Sequence, residues 1–293
     1  MVIGIIPNII KDRIEDILVP FISALNRGGI DCIISDDINK IGSRLPVGLE
    51  HVQRCDIDTL CRTSDMVASI GGDGTMLHTA YLVREYDRPI VGLNFGKLGF
   101  LAEFDMNTLD ILVEELVGGQ YTIEERMVLE GRCEQKNGTT LFAINDIVID
   151  KGGWPKMIEI SLKVNDEFVT RFDADGLILA TPTGSTGYSL SAGGPIVTPD
   201  ADVIALSPIS PHSLTMRPLV LSSAHRISIT AHSQYSSVHV NCDGQRVYSY
   251  APPAELEIYK SSRKVKLIHT RSTSYFKILR EKLFWGMDVR RRG

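Results

Sequence analysis

Apolar residues follow two rhythms along this chain, and the rhythm changes near residue 121. In the first part, short apolar runs alternate with stretches at helical spacing. Val2–Pro7 is an almost unbroken apolar run and reads as a buried strand. Residues 10–25 then place Ile10, Ile14, Ile17, Leu18, Phe21, Ile22 and Leu25 at intervals that keep one side of a helix apolar, and Gly28-Gly29 stops it. Residues 30–34 and 66–70 are further strand candidates. Residues 75–84 read as a helix, 89–95 as a strand, and 108–117 as a helix closed by Gly118-Gly119. Apolar strands alternating with helices predict an α/β domain with a mostly parallel sheet, covered on both faces. Residues 35–65 carry no clear period.

Beyond residue 121 β character dominates, over residues 122–134, 140–150, 157–165, 167–172, 177–180, 226–231, 237–241, 245–250, 255–259 and 264–269. Asn165-Asp166 and Asp243-Gly244 fall between such runs, where two-residue hairpin turns belong. This half is predicted to be all-β and sandwich-like. Residues 275–285 return to helical spacing, with Phe276, Leu279, Leu283 and Phe284 on one side. The expected organisation is an α/β domain over 1–121, a β-rich domain over 122–270, and a C-terminal segment over 271–293. The helix in that last segment should pack back on the first domain, followed by a basic tail over 288–293.

Composition narrows the classes. The 293 residues are 43% hydrophobic and 23% charged, the balance of an ordinary globular protein. A net charge of -5 argues against a protein built to grip nucleic acid. No apolar stretch approaches the roughly 20 residues a membrane-spanning helix needs. The start lacks the basic region and cleavage site of a signal peptide. Five cysteines, without C-x-x-C or zinc spacing, fit reduced thiols in the cytoplasm.

Two glycine-rich segments carry the candidate chemistry. Gly71-Gly72-Asp73-Gly74-Thr75 follows the apolar run 66–70, and residues 175–195 contain Gly184, Gly187, Gly193 and Gly194 among Thr181, Thr183, Ser185, Thr186, Ser189 and Ser191. Loops of small residues at strand ends bring backbone N–H groups close to phosphate or ribose oxygens. Neither a Walker loop nor a G-x-G-x-x-G loop after the first strand is present. Asn145-Asp146 interrupts an apolar run, which reads as an edge, a bulge or a ligand-facing site. Asp243-Gly244 reads first as a turn. His78, His232 and His239 form no metal set and read as ordinary residues.

Taken in order, these segments resemble the NAD kinase family, which phosphorylates the 2′-hydroxyl of the adenosine ribose. Met216 to Val220, Asp243-Gly244-Gln245 and Ser274-Tyr275-Phe276 extend the resemblance over nearly the whole chain. Gly71 to Thr75 is shared with diacylglycerol-type lipid kinases, whereas residues 175–196 are particular to NAD kinases. The resemblance implies an active site between a nucleotide-binding first domain and a dinucleotide-binding, oligomerising second domain. It implies a homodimer or homotetramer whose second segment approaches the neighbouring subunit's dinucleotide site. It implies Asp73 as general base and the amides around Gly71, Gly72, Gly74 and Thr75 as phosphate ligands. Magnesium or another divalent cation would accompany the ATP, and inorganic polyphosphate is an alternative donor. Asn145 and Asp146 would bind ribose and adenine, Asp175 would reach the nicotinamide half, and Thr183, Thr186, Tyr188 and Ser191 would face adenine and ribose. Asp243 and Gln245 complete the binding set. Three positions depart from the usual pattern: Asp146 where Glu is common, Gly187 where Ala is common, and Asp173 where many members carry Arg. Two rival readings are a lipid kinase and a nucleotide-binding regulator without catalysis. A lipid kinase has no use for residues 175–195, and a polyanion-binding regulator gains nothing from Asp73.

Overall fold

In the computed structural model, which describes residues 1–11, 14–44, 49, 51–94, 99–133, 135, 139–270 and 274–286, the chain forms two units. One joins Met1–Glu125 to Val265–Gly293, and the other is Arg126–Lys264. Residues 95, 134 and 288–293, which the sequence pattern assigned to strand ends and a basic tail, lie outside the described residues.

The first unit begins with β1 (Val2–Pro7), buried from Ile3 onward. Helix α1 (Glu15–Arg27) buries Ile17, Leu18, Phe21, Ile22, Ala24 and Leu25 on one packed face, with Ile14 buried just before it. Ile10, which the spacing placed on the same face, lies outside the helix and is 91% exposed. The helix ends where Gly29 takes φ +70°, a conformation that costs glycine little. Then follow β2 (Asp31–Ser35), β3 (Gln53–Cys55), α2 (Ile57–Thr63), β4 (Met66–Ile70), α3 (Asp73–Val83), β5 (Ile90–Leu93) and α4 (Leu109–Val117). The strands pair in parallel in the order β5-β4-β1-β2-β3. All five residues of β4 are buried, as a strand covered on both faces requires. The carboxyl ends of β1, β4 and β5 therefore lie side by side, which is where open α/β sheets bind ligands.

The second unit is antiparallel. It comprises most of β6 (Tyr121–Cys133), then β7 (Thr140–Ala143), β8 (Asp146–Asp150), β9 (Ile158–Val164), β10 (Glu167–Ala174), β11 (Gly176–Ala180) and the short helix α5 (Tyr188–Ser191). β12 (Val203–Ile209), β13 (Leu219–Ser222), β14 (Ile227–His232), β15 (Val238–Cys242), β16 (Arg246–Tyr250) and the first part of β17 (Ala254–Thr270) complete it. One sheet runs β13-β12-β11-β8-β15-β16, and β10-β9-β14-β17 pair in another. Alternate residues from both, among them Ile147, Ile149, Ile160, Leu177, Ile229 and Val240, share one apolar core, as in a sandwich. Asn165-Asp166 and Asp243-Gly244 turn their strands with positive φ throughout, between 48° and 67°.

The remaining helix, α6 (Tyr275–Leu283), belongs to the first unit and buries Ile278 and Leu279. No helix among the described residues is long and apolar enough to cross a membrane.

Several elements differ from the sequence pattern. Residues 255–259 and 264–269 are one continuous strand, β17, because Ser261-Ser262-Arg263 stays extended between them. Residues 140–150 are two strands, since β7 pairs with β6 while β8 pairs with β11 and β15. β12 and β13 were not foreseen: Pro208 obscures the first, and the second is a short, exposed edge.

Candidate active site

Gly71 to Thr75 forms the turn from β4 into α3. A Cβ on Gly71 would stand 2.1 Å from Thr75 Oγ1, so glycine is what lets that side chain tuck beneath the turn. The Thr75 hydroxyl in turn accepts a hydrogen bond from Asn8 Nδ2 at 3.0 Å, tying the end of β1 to the loop. Gly72 has nothing closer to a hypothetical Cβ than Asn94 Oδ1 at 3.9 Å, leaving the loop open on that side. Of the expected phosphate-binding amides, two are already spent within the protein: the Gly71 N–H donates to the Leu93 carbonyl at 2.8 Å and the Thr75 N–H to the Gly72 carbonyl at 2.9 Å.

Asp73 is the first residue of α3. Its carboxylate accepts three backbone N–H bonds, from Phe100 at 2.9 Å, Leu101 at 3.0 Å and Ala102 at 3.1 Å. A Cβ on Gly99 would reach within 1.9 Å of Asp73 Oδ1, so glycine there admits the carboxylate. The side chain keeps 32% of its surface exposed, and is thus both oriented and accessible.

Next along the same loop after Ala102, Glu103 is buried and meets His269 on β17 at 2.8 Å. The other ring nitrogen of His269 lies 2.7 Å from Glu124. Burial pulls the imidazole pKa down, but hydrogen bonding to Glu103 and Glu124 and their negative charge outweigh it, and the pKa rises to about 9. A pKa raised in the folded state stabilises fully below the unfolded value of about 6.5 and ceases to do so above the folded one. His269→Gln should therefore lower Tm most at pH 6, and its deficit against wild type should shrink as pH rises through about 9. A deficit constant from pH 6 to pH 10 would sink this assignment.

The second unit gathers several other candidates. Asn145, Asp146, Tyr188 and Asp243 line one cavity of about 200 Å³, together with Val148, Asp150, Asn241 and Gly244. Asp243 organises it from below: its buried carboxylate accepts the N–H of Ile144 at 3.0 Å and of Asn145 at 2.7 Å, and pairs with Arg246 at 2.9 Å. These bonds replace strand pairing at the break between β7 and β8. Burial pushes the Asp146 pKa up to about 7, and the negative charge of Asp243 pushes the same way. Burial also raises that of Asp243, against the opposing pull of the Asn145 N–H and of Arg246. Asn145 Oδ1 and Asn241 Oδ1 are buried with no hydrogen-bond partner among the described residues. Two such acceptors beside one cavity invite a ligand with donors to match.

The glycine-rich segment contributes Tyr188 to the lining of this cavity. Gly184 lies against residue 145, where a Cβ would stand 2.0 Å from the Asn145 carbonyl oxygen. Several hydroxyls of the segment are spent on the protein itself. Thr181 donates to the Ile144 carbonyl, Ser185 to that of Pro182 at 2.6 Å, and Ser189 bonds Ser207 at 2.9 Å. Of the candidates, Thr183 is buried and accepts from Arg126 at 3.3 Å, and Thr186 donates to the Thr183 carbonyl at 3.3 Å. Ser191 and Gln245 are exposed beyond the cavity lining. Asp175 is outside the lining too, paired with Lys151 at 2.6 Å. Asn241, Arg246 and the His269 cluster were missed in the sequence, where nothing local distinguishes them.

Comparison with known proteins adds the following. Residues 50–121 match the family model of the ATP-NAD kinase N-terminal domain, and residues 144–270 that of the C-terminal domain. An NAD kinase of Natranaerobius thermophilus is 37% identical over 289 residues, covering 98% of this chain and 99% of the relative. One from Clostridium botulinum is 45% identical over 225 residues, covering 76% and 79%. Among solved structures, yeast NADH kinase complexed with NADH superposes with a TM-score of 0.89 at 26% identity, covering 100% of this chain and 90% of that one. An NAD kinase from Archaeoglobus fulgidus in complex with ATP gives 0.74 at 25% identity, covering 97% and 98%.

Proposed function

The chain belongs to the NAD kinase family, and from that premise we propose that it transfers the terminal phosphoryl group of ATP to the 2′-hydroxyl of the adenosine ribose of NAD, giving NADP. It is a phosphotransferase with an alcohol as acceptor. The observation in the molecule that best supports this reading is the polar cavity of Asn145, Asp146 and Tyr188, with its orphan amide oxygens. A lipid kinase has no need of such a cavity, and that alternative is not favoured.

The residues take the following roles. Asp73 receives the proton of the 2′-hydroxyl as that oxygen attacks phosphorus, general-base assistance worth about 10²–10⁴-fold. The open side of the turn at Gly72 receives the phosphates, with Gly71 and Thr75 shaping that turn. Asn145, Asp146, Tyr188 and Asn241 hold the adenosine portion, and Thr183, Thr186 and Ser191 border it. Asp243 acts as a positioning residue through the Ile144 and Asn145 amides, with Gln245 beside it. Asp175 faces the nicotinamide half.

A divalent cation, magnesium by default, belongs to the same proposal. Among the described residues no three His, Cys, Asp or Glu side chains come together to hold a metal. The cation therefore fits best as part of the triphosphate, which brings its own oxygen ligands. The proposal includes inorganic polyphosphate as a second donor. We extend the proposal to a homodimer or homotetramer, readable by sedimentation, and to the cytoplasm, where five free thiols are at home.

The test is NADP formation by the purified protein from NAD, ATP and magnesium, read through a dehydrogenase specific for NADP. A steady rate is expected. Phosphorylation of diacylglycerol without NADP would reinstate the lipid kinase, and NAD binding without turnover on any donor would make the chain a regulator.

A further inference from the structure

We propose that Lys282, on the returning helix α6, is a catalytic residue that binds the phosphoryl group in transfer; this rests on the kinase reading above. Its Nζ lies 3.6 Å from Asp73 Oδ2, on residues separated by more than two hundred positions but within the same unit. Helical spacing explains why this lysine points inward. Lys282 falls three and four residues after the buried Leu279 and Ile278, on their face of the helix, whereas Arg280 and Glu281 are exposed. The ammonium also stands 5.5 Å from the centroid of the Phe100 ring, and the Phe100 N–H holds Asp73. Cation, aromatic ring and carboxylate are thus organised by one short loop.

A purely structural account of the lysine is weak. At 3.6 Å the pair is longer than a good charge-assisted hydrogen bond, and both side chains keep about a third of their surface exposed, 30% and 32%. Such pairs contribute little to stability. The chemistry, by contrast, needs a cation at this place. An anionic triphosphate approaching Asp73 meets a carboxylate whose charge repels it, and negative charge on the transferred group is carried by its three equatorial oxygens. A mobile ammonium already beside that carboxylate can swing to those oxygens as the donor arrives, freeing the Asp73 oxygen for the ribose.

The step then balances. The 2′-oxygen forms its bond to the terminal phosphorus, and its proton passes to Asp73. The bond from that phosphorus to the β–γ bridging oxygen breaks, and ADP leaves with the electron pair. Lys282 keeps its proton throughout and contributes charge alone.

The test compares Lys282→Met and Lys282→Arg with wild type under varied MgATP and saturating NAD. Lys282→Met should lose about 10²-fold in kcat, the scale for removing one donor to transition-state charge, with a raised KM for ATP. Its NAD affinity by calorimetry should be unchanged, and Lys282→Arg should recover most of the rate. A Lys282→Met enzyme with kcat and KM for ATP within twofold of wild type overturns the proposal. Should that variant not fold, acetylation of wild-type lysines read by mass spectrometry decides: MgATP without NAD should shield Lys282, and equal labelling with and without MgATP overturns the proposal. A wild-type protein that makes no NADP, yet whose Lys282 is shielded by MgATP, refutes the kinase reading and leaves the phosphate contact standing.

Discussion

Asp73→Asn lowers turnover by about 10²–10⁴-fold, the range for losing a general base, and leaves NAD affinity nearly intact. The substitution keeps the size of the side chain and removes its ability to take a proton. It also has a local cost. In wild type both carboxylate oxygens accept backbone N–H groups, from Phe100, Leu101 and Ala102. An amide can turn its oxygen to one side of that cradle, and its NH₂ then meets an N–H on the other. An unsatisfied buried donor costs about 1–3 kcal/mol, here at the lower end because Asp73 is partly exposed, so a modest drop in Tm accompanies the kinetic loss. NAD binding is untouched in this reading because Asn145, Asp146, Tyr188 and Asn241 all lie in the other unit. Single-turnover kinetics and calorimetry separate the two effects. Turnover equal to wild type would remove Asp73 from proton transfer. A large loss of NAD affinity would assign it to binding.

Gly184→Ala is expected to weaken NAD binding by at least about tenfold, equivalent to roughly 1.4 kcal/mol. The added methyl would sit 2.0 Å from the Asn145 carbonyl oxygen and 2.4 Å from its carbon. Both are backbone atoms and cannot rotate away, so either residues 183–186 or residues 144–146 must move. Yet Thr181 N bonds the Asn145 carbonyl at 2.8 Å, and the Thr181 hydroxyl accepts the Gly184 N–H at 3.1 Å. Movement therefore breaks a bonded unit at the wall of the cavity, and overpacking of this kind costs typically about 1–3 kcal/mol. Titration calorimetry with NAD, beside a thermal melt, measures both. Wild-type affinity in Gly184→Ala would mean that contact between these two loops does not shape the NAD site.

Much of the architecture was legible before any coordinates. The apolar face of α1 and its glycine stop, the strand-to-helix turn at Gly71 to Thr75, and the two hairpins at Asn165-Asp166 and Asp243-Gly244 all rest on local periodicity or local backbone conformation. So did the contrast between a parallel first half and an antiparallel second. Local signals misled where a strand continues through polar residues, as β17 does at Ser261 to Arg263. They misled again where one apolar run serves two sheets, as residues 140–150 do. The glycine-rich segment was legible as a loop of small and hydroxyl residues leaving a strand, but which hydroxyls were already committed was not. Ser185 and Ser189 look no different from Ser191 in sequence, and only their partners Pro182, Val197 and Ser207 set them apart.

What the sequence alone determined about this protein is most of its helices and strands, the change of fold class near residue 121, and the positions of two glycine-rich turns. These depend on neighbours a few positions apart, because steric limits on φ and ψ and the periods of helix and strand act over that range. Tertiary structure alone decided which charges face one another. Asp73 with Lys282, Glu103 with His269, and Asp243 with the amides of Ile144 and Asn145 span between about a hundred and two hundred residues of chain. Each partner is unremarkable where it stands in the sequence. Their interaction falls off with distance through space, and only folding sets that distance.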